Sequence, residues 1–115
     1  MRNDKPNIIV QKTFEFAVQI IDFTEMLESK RKYNMASQLF KTGTSVGANV
    51  REAQNAESKA DFIHKRKIAA KEADETKFWL EVCEASKHYP TVGNHLNEIT
   101  EIEKILSKII SSSKK

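Results

Sequence analysis

The chain reads as all-α, an antiparallel up-down-up-down four-helix bundle, and three observations point there. Apolar residues recur at three- and four-residue spacing through four tracts of comparable length. Breakers are scarce: three glycines and two prolines in 115 residues, with aromatics at 8%, suit helices better than a sheet. The polar stretches between the tracts are short, as antiparallel neighbours require. A chain of this length holds one compact core, so residues 1–115 read as a single domain.

The first helix is expected from about Ile8 to Ser29, opened by Pro6 and Asn7. Val10, Phe14, Ala17, Val18 and Ile21 share one arc, and Phe16, Ile20, Phe23 and Leu27 form a second seam. Two seams exceed what one bundle core can bury, so the surplus is expected to cover another copy of the chain. The second seam is assigned that role, giving Phe16, Ile20, Phe23 and Leu27 as interface residues. The connection ESKRKYN follows, with Asn34 as the expected cap of a second helix from about Met35 to Ala56. Leu39, Gly43, Val46, Val50 and Ala53 fall in register there. Gly43 and Gly47 lie one turn apart beside them, where close backbone approach offsets the cost of a helical glycine. Lys41 and Arg51 interrupt the run, which argues against a membrane dimer motif.

Ser58-Lys-Ala-Asp61 has the spacing of a capping box, which divides the second helix from a third at about Lys59 to His88. Phe62, Ala69, Ala73, Thr76, Leu80 and Cys83 form its core seam. Ile68, Phe78, Trp79 and Val82 form a second apolar arc and join the expected interface. Pro90 and Gly93 break the chain in a loop, and Asn94 is the expected cap of helix four, from about His95 to Ile110. Its stripe is Ile99, Ile102, Leu106 and Ile109. The terminal SSSKK reads as a fraying tail.

The chemistry of the side chains argues against an enzyme. A carboxylate-bridged metal bundle needs an inward Glu from two helices and a Glu-x-x-His from each of the others. Asp61-x-x-His64 occurs once, with His64 opposite the core seam, so no metal or other cofactor is expected. Glu72 and Glu75 have no catalytic partner in the sequence. Cys83 lies on a core seam and reads as an inert packed thiol. A single cysteine fits a reducing cytosol, and MRNDKPNIIVQK lacks an apolar signal core, so the expected location is cytoplasmic. At 30% charged residues and a mean hydropathy of −0.56, no run approaches a membrane span.

Two polar groupings remain. Asn49, Arg51, Glu52, Asp61, Glu72 and Glu75 flank the seams of helices two and three. They read either as a buried packing network or as boundary residues in water. The net charge of +3 and a pI near 9.0 are compatible with nucleic acid. Lys59, Arg66, Lys67, Lys71 and Lys77 run along helix three, and Lys30, Arg31 and Lys32 cluster in the first connection. These eight are the candidate phosphate contacts of a nucleic-acid-binding accessory protein. The alternative is a structural or protein-interaction scaffold whose basic residues are merely solvated.

SVGANVREA at 45–53, SKADFIHK at 58–65 and IAAKEADETKFWL at 68–80 resemble the four-helix-bundle family named after proteins encoded in intervening sequences of bacterial 23S ribosomal RNA genes. The resemblance implies a bundle that assembles as a ring, typically a homopentamer, with RNA, DNA or a partner protein as expected ligands. It brings no catalytic residues. Asn49, Glu52, Ser58, Lys59, Asp61, Glu72, Glu75, Thr76 and Trp79 match the family as fold or interface positions.

Overall fold

A computed structural model describes residues 7–113. They form four helices: α1 (Ile8–Ser29), α2 (Tyr33–Gln54), α3 (Lys59–Ala85) and α4 (His95–Ser113). A 22-residue helix is about 33 Å long at 1.5 Å per residue. Residues 30–32 reach only about 10 Å at full extension, so α2 must run back along α1. The same antiparallel order relates α1 to α4, where Lys12, Gln19 and Phe23 face Glu101, Glu98 and His95 respectively. Adjacent backbones follow the ring α1–α2–α3–α4, and the diagonal pairs make no close backbone approach. The result is an up-down-up-down bundle, 45 by 21 by 19 Å.

Side-chain capping explains where α1 and α3 begin. Asn7 accepts from the Ile9 amide at 3.1 Å, and Ser58 accepts from the Asp61 amide at 3.0 Å. The break at Ser58 therefore stands, as its capping-box spacing predicts. Asn34 is not a cap; α2 begins one residue earlier, and Lys32 precedes it without a side-chain cap bond. The Asn94 side chain also serves differently from expectation, accepting from Asn97 and donating to Glu98. Helix α3 stops at Ala85, before His88, with Ser86 in extended conformation.

The end of α1 is closed by Arg31, whose φ of 64° is the left-handed value usually supplied by glycine. Its amide returns to Glu28 O at 2.9 Å, and the Lys32 amide returns to Leu27 O at 2.8 Å. This doubled bond satisfies the carbonyls that α1 would leave orphaned. It also reverses the chain without a glycine, a device invisible in ESKRKYN.

The core corrects one expectation about α1. Phe16, Ile20, Phe23 and Leu27 are buried within the chain's own bundle, with Ile9, Thr13 and Thr24 completing their seam. They are not available to a partner copy. Both threonines look polar in sequence, but their hydroxyls are satisfied inside the helix. Thr13 donates to Ile9 O at 2.8 Å and Thr24 to Ile21 O at 2.9 Å. Thr42 and Thr76 do the same in α2 and α3. The inner seam thus carries polar residue types that make it seem the weaker one.

Candidate functional site: an uncovered apolar face and a divided basic surface

The surplus seam is the other arc. Phe14 is 56% exposed, Val18 47% and Ile21 37%, and Phe40 of α2 is 50% exposed. Among the described residues, all the large exposed hydrophobic side chains but Phe78 lie on α1 or α2. The groove between these helices holds two hollows. One, of about 500 Å³, lies between Val10, Phe14 and Ala17 on α1 and Thr44, Gly47 and Ala48 on α2. The other, of about 400 Å³, is bordered by Ile21, Tyr33, Ala36 and Phe40, with Glu25, Glu28 and Lys41 at its rim. Small residues at 44, 47 and 48 make the groove, because nothing there fills the space between the helices.

The second expected interface arc, on α3, is mostly consumed by the fold. Trp79 and Val82 pack against the core, Ile68 is half-buried, and only Phe78 is exposed, its ring 5.0 Å from that of Trp79.

The eight basic candidates do not share one surface. Lys30 and Arg31 are exposed at the end of the bundle where α1 meets α2, and Lys32 lies over the Tyr89 ring at 4.9 Å. Lys59 marks the opposite end, at the start of α3. Lys67 and Lys71 are exposed one turn apart in the middle of α3. Lys77 is half-buried and acts electrostatically on Glu103 of α4, whose carboxyl is nonetheless held above its ordinary range, first by burial.

Arg66 is the clear correction. Expected on the solvent face, it is 1% exposed. Its position follows from the register of α3: it continues the inward row of Ala69, Ala73, Thr76, Leu80 and Cys83 toward the helix start. Its Nη2 donates to Gln54 Oε1 at 3.0 Å, and the guanidinium lies 4.9 Å from the centre of the Phe62 ring. A charged residue type in a core register is easily mistaken for a surface one.

The polar network does not form. Asn49 Nδ2 turns back to Ser45 O at 2.9 Å within its own helix. Arg51 and Glu75 are exposed, Glu72 is half-buried, and Asp61 is engaged through its amide by Ser58. Glu52 instead pairs with Lys65 at 2.9 Å across α2 and α3. That pair, like Lys12–Glu101 at 2.7 Å, is a surface bridge that solvent screens, so it adds little to stability.

Cys83 is buried, and desolvation pushes its thiol up to about 11, away from the thiolate a nucleophile needs. His64 is exposed. Among the described residues no cluster of three or more His, Cys, Asp or Glu is placed to hold a metal, and no helix is long and apolar enough to cross a membrane.

Fold and surface together define a small antiparallel helical bundle with one uncovered apolar face. The model of the family described as 23S rRNA-intervening sequence protein matches residues 5–108. The chain belongs to that family. It is similar to a crystal structure from Bacteroides thetaiotaomicron of a protein with unknown function from the S23 ribosomal protein family. The two are 41% identical with a TM-score of 0.82, over 89% of this chain and 97% of that one. Comparison with curated proteins finds no match.

Proposed function

We propose that this chain is a non-enzymatic bundle that self-assembles through the outer α1–α2 face and serves as a nucleic-acid-binding accessory protein. The observation that carries the proposal is the row Phe14, Val18, Ile21 and Phe40, which the chain's own helices leave uncovered. A contiguous apolar face of this kind marks an association surface in a stable protein. In a head-to-tail contact, the aromatic side chains of one copy fill the hollows of the next at Gly47 and Phe40. A ring of the kind the family resemblance implies, of five copies, repeats Lys30, Arg31, Lys67 and Lys71 around its circumference. Repetition multiplies phosphate contacts that a single +3 chain makes weakly.

A second reading, a scaffold without a nucleic-acid ligand, is favoured by the withdrawal of Arg66 and the engagement of Lys32 with Tyr89. One pair of measurements separates the readings. Light scattering at micromolar concentration is expected to give a multiple of 13.2 kDa, and a monomer mass would refute assembly. Titrating RNA and DNA binding against salt is expected to give a log–log slope near −0.7 to −0.9 for each phosphate neutralised. No binding at about 50 mM salt, where counterion release still favours association, leaves the scaffold.

A further inference from the structure

The outer α1–α2 face is a groove rather than a ridge. Its larger hollow is walled by small residues at Ala17, Gly47 and Ala48, so a projecting side chain from elsewhere is what fills it. Among the described residues one large exposed hydrophobic side chain lies off α1 and α2: Phe78 of α3, 55% exposed. Its ring stands edge-on to that of Trp79, 5.0 Å away at 69°, and Trp79 is packed against the core. Phe78 is thus held in a fixed direction, and docking it costs little ordering.

The place of Phe78 in the fold separates two kinds of contact. Helix α3 packs against α2 and α4 and makes no close backbone approach to α1. Phe78 and the α1–α2 groove therefore lie on different sides of the bundle. In a two-fold contact the same patch faces itself on both copies, which would cover the groove and leave Phe78 in water. A head-to-tail contact covers both, and it gives a ring when the rotation closes.

Charge selects between the two hollows. Asp74, Glu75 and Glu81 are exposed within one turn of Phe78. Lys77 is half-buried and acts on Glu103, and Lys71 lies two turns back. The hollow at Phe40 carries Glu25 and Glu28 against Lys41, so it repels this acidic collar. The hollow at Gly47 carries Arg51 and Glu52, and Glu52 is already paired with Lys65. Its rim therefore presents the charge of exposed Arg51, which complements the collar.

We propose that Phe78 of one copy enters the hollow at Gly47 of the next, with Arg51 facing the carboxylates around it. The inference rests on the reading of the α1–α2 face as a self-assembly surface and names the second surface that meets it. Nucleic-acid binding plays no part in it.

Complementation between two full-length variants tests the contact. Phe78→Ser removes the knob, Phe14→Ser with Val18→Ser spoils the groove, and circular dichroism checks that both stay helical. Each alone is expected at the monomer mass of 13.2 kDa in light scattering. Mixed in equal amounts, they are expected to form a pair of twice that mass and nothing larger, because one intact knob meets one intact groove. Arg51→Glu is expected to weaken assembly by about ten-fold or more, and Glu75→Arg added to it to recover part of the loss. Should Phe78→Ser lose its helicity, this charge exchange decides. Phe78→Ser at the assembled mass of the parent, a mixture that stays monomeric or grows beyond a pair, or no effect of the charge exchange overturns the contact and leaves self-assembly through the α1–α2 face standing. A parent protein at the monomer mass overturns both.

Discussion

Gly43 and Ile20 are in direct apposition across α1 and α2: a Cβ built at position 43 would stand 2.7 Å from Ile20 Cγ2. One turn later, a Cβ at Gly47 would stand 3.1 Å from the Thr13 carbonyl oxygen. The two helices approach closely enough that hydrogen is the only side chain that fits at 43 without movement. This contact selects the inner seam of α1. Ile20 and Thr13 enter because α2 leaves room for them, and Phe14 and Val18 are rotated outward as a result.

Gly43→Ala is expected to destabilise the protein although alanine is the better helix former. The propensity gain is about 1 kcal/mol, whereas forcing a methyl into a filled core costs about 1–3. Gly47→Leu is expected to be more disruptive, because the nearest atom is backbone and cannot rotate away. Urea denaturation of both variants checks the order; an unchanged midpoint for either would show that the helices part freely.

Polar substitutions on α1 are expected to divide by seam. Phe14→Ser with Val18→Ser should reduce the assembled mass and preserve helicity, since both side chains are largely exposed within the chain. Phe16→Ser should cost about 3 kcal/mol or more and unfold a marginal bundle, because Phe16 is fully buried. Light scattering and circular dichroism on the two sets give opposite patterns; equal effects would contradict the assignment of the seams.

Arg31→Gly is expected to stabilise the chain by about 1 kcal/mol. The left-handed backbone at φ 64° is strained for arginine and free of strain for glycine. Thermal melts of parent and variant test this, with an equal or lower midpoint counting against it. If Arg31 also contacts phosphate, the same variant binds RNA more weakly while melting higher.

Stability is expected to fall as the pH drops below about 6.5. The reason is His95, which desolvation holds below its ordinary value despite the opposing carboxylate of Glu98. Its ring rests against Phe23 at 5.2 Å, with Nδ1 buried and unpartnered. A histidine with a depressed folded pKa contributes stability above its unfolded pKa and loses it as pH falls through the folded one. Urea midpoints at pH 7.5 and 5.5 should differ less in His95→Phe than in the parent; an equal difference would remove His95 as the cause.

Lys67→Gln with Lys71→Gln is expected to flatten the salt dependence of RNA binding without altering the melting midpoint, because both side chains are exposed on α3. An unchanged slope would place any phosphate contact elsewhere on the bundle.

The spacing of apolar residues by itself determined the four helices, because a 3.6-residue period shows in residue types whatever surrounds them. Ser58 marked the α2–α3 break for the same local reason: a cap acts within one turn. Gly43 and Gly47 announced a close approach, since little else repays their helical cost. Tertiary structure alone decided which seam of α1 faces inward. Thr13 and Thr24 look polar until a helix carbonyl takes their protons, and the seam without them looks the more apolar of the two. The same holds for Arg66, whose charge suggests a surface position while its place in the α3 register carries it into the bundle. Periodicity specifies a face, but the neighbouring helix, through the room it leaves, specifies which face is covered.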